Sequence, residues 1–180
     1  MKEEIMIRDN LEMLTTQQYG THGAWIPGVE LYHLDKHEDK TGAGSFIEVF
    51  GETFFTTTEM SRTDCIKQMN YSTMAPGAIK GFHLHFLQTD YWFVPPGNKM
   101  YTILHDCREG QQPLTYTFLL GPDPVVLKIP PGIAHGVKNV GTSDGIIIYG
   151  VTEPFNFEDP DEHRLPWDML GKDIWEMTRD

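Results

Sequence analysis

Cysteine is nearly absent. Cys65 and Cys107, the only two in 180 residues, are too few and too far apart for a disulfide framework or a C-x-x-C pair. Positive charge is also scarce, with 14 Lys and Arg against 26 Asp and Glu and a net charge of −12. A nucleic-acid surface works by trading phosphate counterions for clustered cations, so this balance excludes nucleic acid as a partner. Two or three local cations would still hold a phosphorylated small molecule. No apolar run approaches the ~20 residues of a membrane-spanning helix, and the strongest candidate runs only from Gly145 to Val151. The opening MKEEIMIRD is too acidic and too poor in apolar residues for a secretory leader. A reducing, cytoplasmic location away from membranes is therefore expected. Internal repeats, low-complexity tracts and linkers are missing too, so residues 1–180 read as one domain with a core over about 28–155 and an extension over 156–180.

What is present is core and turn material. Hydrophobic residues make up 39% and aromatics 12%, while 17 glycines and 12 prolines point to many turns. Short runs of β-branched and aromatic residues alternate with Gly, Pro, Asp and Asn. They predict strands over 28–35, 45–57, 65–73, 77–86, 89–94, 98–106, 114–120, 124–130, 133–139 and 144–152. Such spacing indicates an all-β sandwich or barrel. Helix is expected only within the first 19 residues and from Trp167 to Met177. Pro95-Pro96-Gly97 and Pro130-Pro131-Gly132 each close a strand with a sharp turn beside a histidine-bearing segment.

Three of the eight histidines invite a chemical reading. His83 and His85 are two apart on a predicted strand, so both imidazoles project from one face. Asp90 follows closely, with Gln88 as the other polar group able to point inward, and His135 comes from the second Pro-Pro-Gly segment. Three imidazoles and a carboxylate meeting inside a barrel would suit a divalent transition metal with open positions. His22, His33, His37, His105 and His163 carry no such spacing and read as surface or structural.

The pattern G-x5-H-x-H at Gly77, His83 and His85, continuing to Asp90 and Gly97, resembles the first motif of the cupin superfamily. P-x-G-x2-H-x3-N at Pro130, Gly132, His135 and Asn139 resembles the second. The resemblance implies a cupin double-stranded β-helix, or jelly roll, with short terminal helical elements and the site inside the barrel. Within cupins the chain is similar to the dTDP-4-dehydrorhamnose 3,5-epimerase family and related sugar-nucleotide isomerases. Asn70-Tyr-Ser72 precedes Gly77-Ala-Ile-Lys80-Gly81-Phe82-His83, Pro130–Gly136 matches the family's P-x-G-x-A-H-G, and Glu162 to Trp167-Asp168 resembles its closing segment.

That family shifts protons at carbons beside a ketone, where the carbanion delocalises into the carbonyl. A base, an enolate stabiliser and an acid on the opposite face are needed. The resemblance implies His83 as base, Asp168 as its carboxylate partner and Tyr149 as acid, with Lys80, Gln88 and His135 binding substrate. It also implies a keto sugar, carried as a nucleotide-linked 4-keto-6-deoxyhexose, as substrate, a homodimer, and no cofactor. One departure stands out: Asp90 occupies the place of a family lysine that would stabilise the enolate. A Zn, Fe, Mn or Ni ion on His83, His85, Asp90 and His135 would replace that lysine as a Lewis acid, but a coordinated His83 could not be a free base. Two alternatives therefore stay open beside the epimerase: a metal-dependent, dioxygenase-like oxidoreductase, and a cupin that binds a sugar without turning it over.

Overall fold

The computed structural model describes residues 25–51, 54 and 65–177, so the helix expected in the first 19 residues lies outside the described part. The described residues form twelve strands: β1 (Glu30–His33), β2 (Lys36–Glu38), β3 (Ser45–Ile47), β4 (Gln68–Met74), β5 (Ile79–Leu84), β6 (Asp90–Phe93), β7 (Met100–Asp106), β8 (Thr115–Leu120), β9 (Val125–Ile129), β10 (Ile133–Asn139), β11 (Gly145–Val151) and β12 (His163–Arg164). They form two five-stranded sheets, ordered β1-β9-β6-β11-β4 and β12-β5-β10-β7-β8, plus a β2-β3 hairpin. The architecture is a cupin jelly roll.

Three expectations change. The strand predicted over 45–57 forms only at Ser45–Ile47, with 52, 53 and 55–64 outside the described residues. The helix predicted from Trp167 shrinks to one 3-10 turn at Lys172–Trp175. Strands β2 and β12 were not foreseen: both are two or three polar residues long and carry no hydrophobic period.

Alternation assigns each side chain to a layer. On β6, Trp92 packs into the cluster between the sheets, while Tyr91 and Phe93 pack outward with Phe54, Ile66 and Val126. On β5, Phe82 and Leu84 face outward into a cluster closed by Leu170, Ile174 and Trp175, leaving His83 on the inner face. Both Pro-Pro-Gly turns form, and Gly97 and Gly132 take the positive φ that glycine accepts without strain (97° and 83°). The second turn is docked at the site, because Gly132 N–H donates to the His85 carbonyl at 2.8 Å.

The outer cover needs a small residue beneath it. A Cβ on Gly136 would lie 2.7 Å from the Trp175 ring and 3.2 Å from Phe82, so the indole seats on bare backbone behind His135. Trp175 Nε1 donates to the Trp167 carbonyl at 2.7 Å, and the Trp175 carbonyl accepts from Lys138 Nζ at 3.0 Å. Trp175→Ala should lower unfolding free energy by about 3–5 kcal/mol, the range for emptying a large buried aromatic site, as read from the urea midpoint.

Candidate active site

Strands from both sheets line one cavity of about 350 Å³. Sheet one contributes Gln68, Asn70 and Ser72 from β4, Asp90 and Trp92 from β6, and Tyr149 from β11. Sheet two contributes Lys80 and His83 from β5 and His135 from β10, with His85 just beyond the end of β5. The chain after β11 supplies a further wall with Glu153, Phe155, Asp161 and Glu162.

Pairing explains how the imidazoles meet. His135 of β10 lies directly opposite His83 of β5, and the register then shifts so that Val137 faces Lys80. Two steps on β10 thus match three on β5, a bulge that brings Lys80 to the inner face despite its opposite parity to His83. The His83 and His135 ring centroids are 6.2 Å apart, those of His85 and His135 5.2 Å.

Asp90 is the most constrained group. It is 3% exposed, and its oxygens accept from Gln88 Nε2 at 2.6 Å and Trp92 Nε1 at 2.9 Å. Burial raises its pKa above the usual carboxylate value, against the lowering effect of His85 and the two hydrogen bonds. Its oxygens also lie 3.9 Å from His85 Nε2 and 3.7 Å from His135 Nε2. His135 Nδ1 donates to the Ile133 carbonyl at 3.0 Å, so Nε2 bears the lone pair, and that buried atom has no hydrogen-bond partner among the described residues. His85, Asp90 and His135 each offer a ligand atom within 4.8 Å of the others.

His83 is not part of that group. The four-residue ligand set expected from the motif thus separates, in this geometry, into three clustered donors and one imidazole beside them. Burial lowers the His83 pKa, partly offset by the negative charge of Glu162. Burial raises that of Tyr149, helped by Asp90 and Glu162. Neutral imidazole and intact phenol are the forms present near neutrality. Lys80 Nζ donates to Ser72 Oγ at 2.5 Å and is the one cationic side chain among the lining residues.

Asp168 is not among the cavity-lining residues. Its carbonyl accepts from Gly171 N–H at 2.8 Å, in a turn drawn toward the outer face of β5 and β10 by the burial of Leu170, Ile174 and Trp175. The carboxylate acting most strongly on His83 is Glu162, whose Oε1 also accepts from Arg164 at 3.0 Å. Asp161 and Glu153 were missed as site residues as well. Polar residues at every second position of β4, with exposed Met69 and Tyr71 between them, were the available signal for Gln68 and Asn70.

A family model described as the polysaccharide biosynthesis C-terminal domain matches residues 53–163. The chain belongs to this family. Spore coat polysaccharide biosynthesis protein SpsL of Bacillus subtilis is 36% identical to this family member over 146 residues, covering 79% of the chain and 91% of SpsL. The probable low-salt glycan biosynthesis epimerase Agl13 of Haloferax volcanii is 29% identical over 147 residues, covering 79% and 89%. Among solved structures, the dTDP-4-dehydrorhamnose 3,5-epimerase from Sulfolobus tokodaii superposes with a TM-score of 0.66 at 28% identity, covering 84% of this chain and 83% of that one.

The buried imidazole of this polysaccharide-biosynthesis domain sets a pH dependence. His135 titrates well below its ordinary value because burial disfavours the cation. Between its native pKa and about 6.5 the unfolded chain binds more protons, so stability is full above that window and falls as pH drops through it. His83 acts in the same direction, and Asp90 in the opposite one above its unfolded carboxylate value. His135→Gln should therefore flatten the loss of unfolding temperature between pH ~7.5 and ~5.5, as measured by calorimetry.

Proposed function

We propose that the protein is a sugar-nucleotide epimerase that moves a proton at a carbon beside the carbonyl of a keto sugar. The observation that supports this most is that His83 and Tyr149 line one cavity from different sheets. A sugar ring held between them meets a neutral imidazole on one face and a protonated phenol on the other. Removal of a proton by the first and return by the second inverts the carbon. Glu162, rather than Asp168, takes the part of the carboxylate that favours the imidazolium formed on proton abstraction.

Lys80 is placed to receive a phosphate or the sugar oxygen bearing developing charge, and Asn70 and Gln88 offer amides to hydroxyls. Asp90, a carboxylate where an enolate stabiliser would be useful, is tied to two donors, so its charge is committed to the wall. The same reading takes a nucleotide-linked 4-keto-6-deoxyhexose as substrate and the cytoplasm as its place of action. It also takes the protein as a homodimer, with the exposed Met69 and Tyr71 of edge strand β4 available for contact.

A second reading rests on the unpartnered His135 Nε2. His85, Asp90 and His135 fit a divalent transition metal in donor type and spacing. When bound there, such an ion would supply Lewis-acid polarisation of a carbonyl. Because His83 stands outside the three, base and ligand need not compete for one residue.

His83→Ala should reduce solvent-deuterium incorporation into the keto sugar about 10²–10⁴-fold. Tyr149→Phe should retain exchange at the abstracted position while losing inverted product. Glu162→Gln should slow turnover about tenfold or more, with Asp168→Asn near wild type; the reverse ranking would restore Asp168 as the partner. Elemental analysis of protein purified without added ions tests the metal reading, and less than about a tenth of an equivalent removes it. Oxygen uptake with no deuterium exchange would favour the oxidoreductase, and neither signal would leave sugar binding alone.

A further inference from the structure

One cavity-wall residue has contacts out of proportion to a loop position. Asp161 Oδ1 accepts from Phe86 N–H, and Oδ2 from Leu87 N–H and Gln88 N–H, each at 2.8 Å. Three consecutive amides of the β5–β6 turn thus converge on one carboxylate from 75 residues away in the chain. The backbone carbonyl of the same residue faces His85 Nδ1 within hydrogen-bonding distance. His163 closes the clip, stacked on Phe86 with ring centroids 4.1 Å apart and with Nε2 3.8 Å from Asp161 Oδ1.

The consequence passes inward. A carbonyl only accepts, so His85 Nδ1 must carry the hydrogen, and of the two neutral tautomers this contact selects the one whose lone pair is on Nε2, the nitrogen that faces Gln88 and Asp90. That Nε2 lies 3.3 Å from Gln88 Nε2, which also donates to Asp90 Oδ1 at 2.6 Å. An amide nitrogen between two acceptors is the stable orientation, since the reversed amide would set three acceptors against one another. The Gln88 side-chain oxygen is then directed away from both. Donor and acceptor polarity along His85, Gln88 and Asp90 follows from one backbone carbonyl, held in place by its own side chain.

We propose that Asp161 is the positioning residue of the site, its carboxylate clip fixing the tautomer of His85 and through it the orientation of Gln88. The idea builds on the cavity being the reaction site, but its test reads the imidazole directly and fails separately from the epimerase reading. Nitrogen-15 NMR of histidine-labelled full-length protein with EDTA present gives the tautomer of His85, and amide exchange gives the state of the turn. Wild type should show the Nδ1–H form. Asp161→Ala should shift the tautomer ratio toward Nε2–H by about tenfold, the factor carried by one net hydrogen bond. The Leu87 and Gln88 amides should exchange about ten- to a hundredfold faster, as befits lost bonds to a charged acceptor.

A clip that merely held the loop would speed exchange and leave the tautomer alone, and that result overturns the proposal. So does an Nε2–H form in wild type. Should Asp161→Ala fail to fold, Asp161→Asn decides: it keeps one acceptor oxygen, turns an NH2 group toward the amides, and should shift the same ratio in the same direction. An unshifted ratio in that variant overturns the proposal as well.

Discussion

The antiparallel pairing of β5 with β10 is the constraint on which the site depends. It sets His135 across from His83, and its bulge carries Lys80 onto the same wall. It also sorts the strand into two chemistries, with Phe82 and Leu84 turned to an apolar cover and His83 turned to the cavity. A one-residue slip would exchange those faces, burying imidazole in hydrocarbon and opening phenylalanine to the cavity. The cover works against such a slip, because Trp175 fits only over the bare backbone of Gly136 and close to Gly81. Hydrophobic packing behind the strand therefore holds in register the polar residues in front of it.

At four titratable groups of the cavity, burial outweighs the pull of neighbouring charges. The dominant influence on His83, Asp90, His135 and Tyr149 is in each case loss of water, and it favours the neutral form of all four. A neutral His83 and a protonated Tyr149 suit proton shuttling, where base and acid must begin uncharged. Neutral imidazoles also suit a cation, which would find their lone pairs ready. The position of His83 beside the His85, Asp90 and His135 trio keeps both forms of chemistry compatible with one arrangement.

Much of the architecture was legible. H-x-H at spacing two and the Pro-Pro-Gly turns carried information because each encodes a local backbone rule, and both appear as expected. Lys80 was legible only through resemblance, since simple alternation would place it on the opposite face from His83; a bulge is a tertiary event that residue parity does not reveal. Glu162 and Asp161 were harder still. They sit in irregular chain whose course depends on where Leu170 and Trp175 pack, so the acidic run Asp159 to Glu162 gave no clue to which carboxylate faces inward. The same packing carries Asp168 away from the lining.

The clip at Asp161 also bears on the order of assembly. Its partners at Phe86 to Gln88 stand at the other end of a long sequence separation, so the contact forms only after a large loop has been closed entropically. The two sheets alone do not enclose the cavity, because Glu162 and Asp161 come from the chain after β11 and the Trp175 cover from farther still. Enclosure is thereby made contingent on a crossing between distant parts of the polypeptide and belongs to neither sheet by itself.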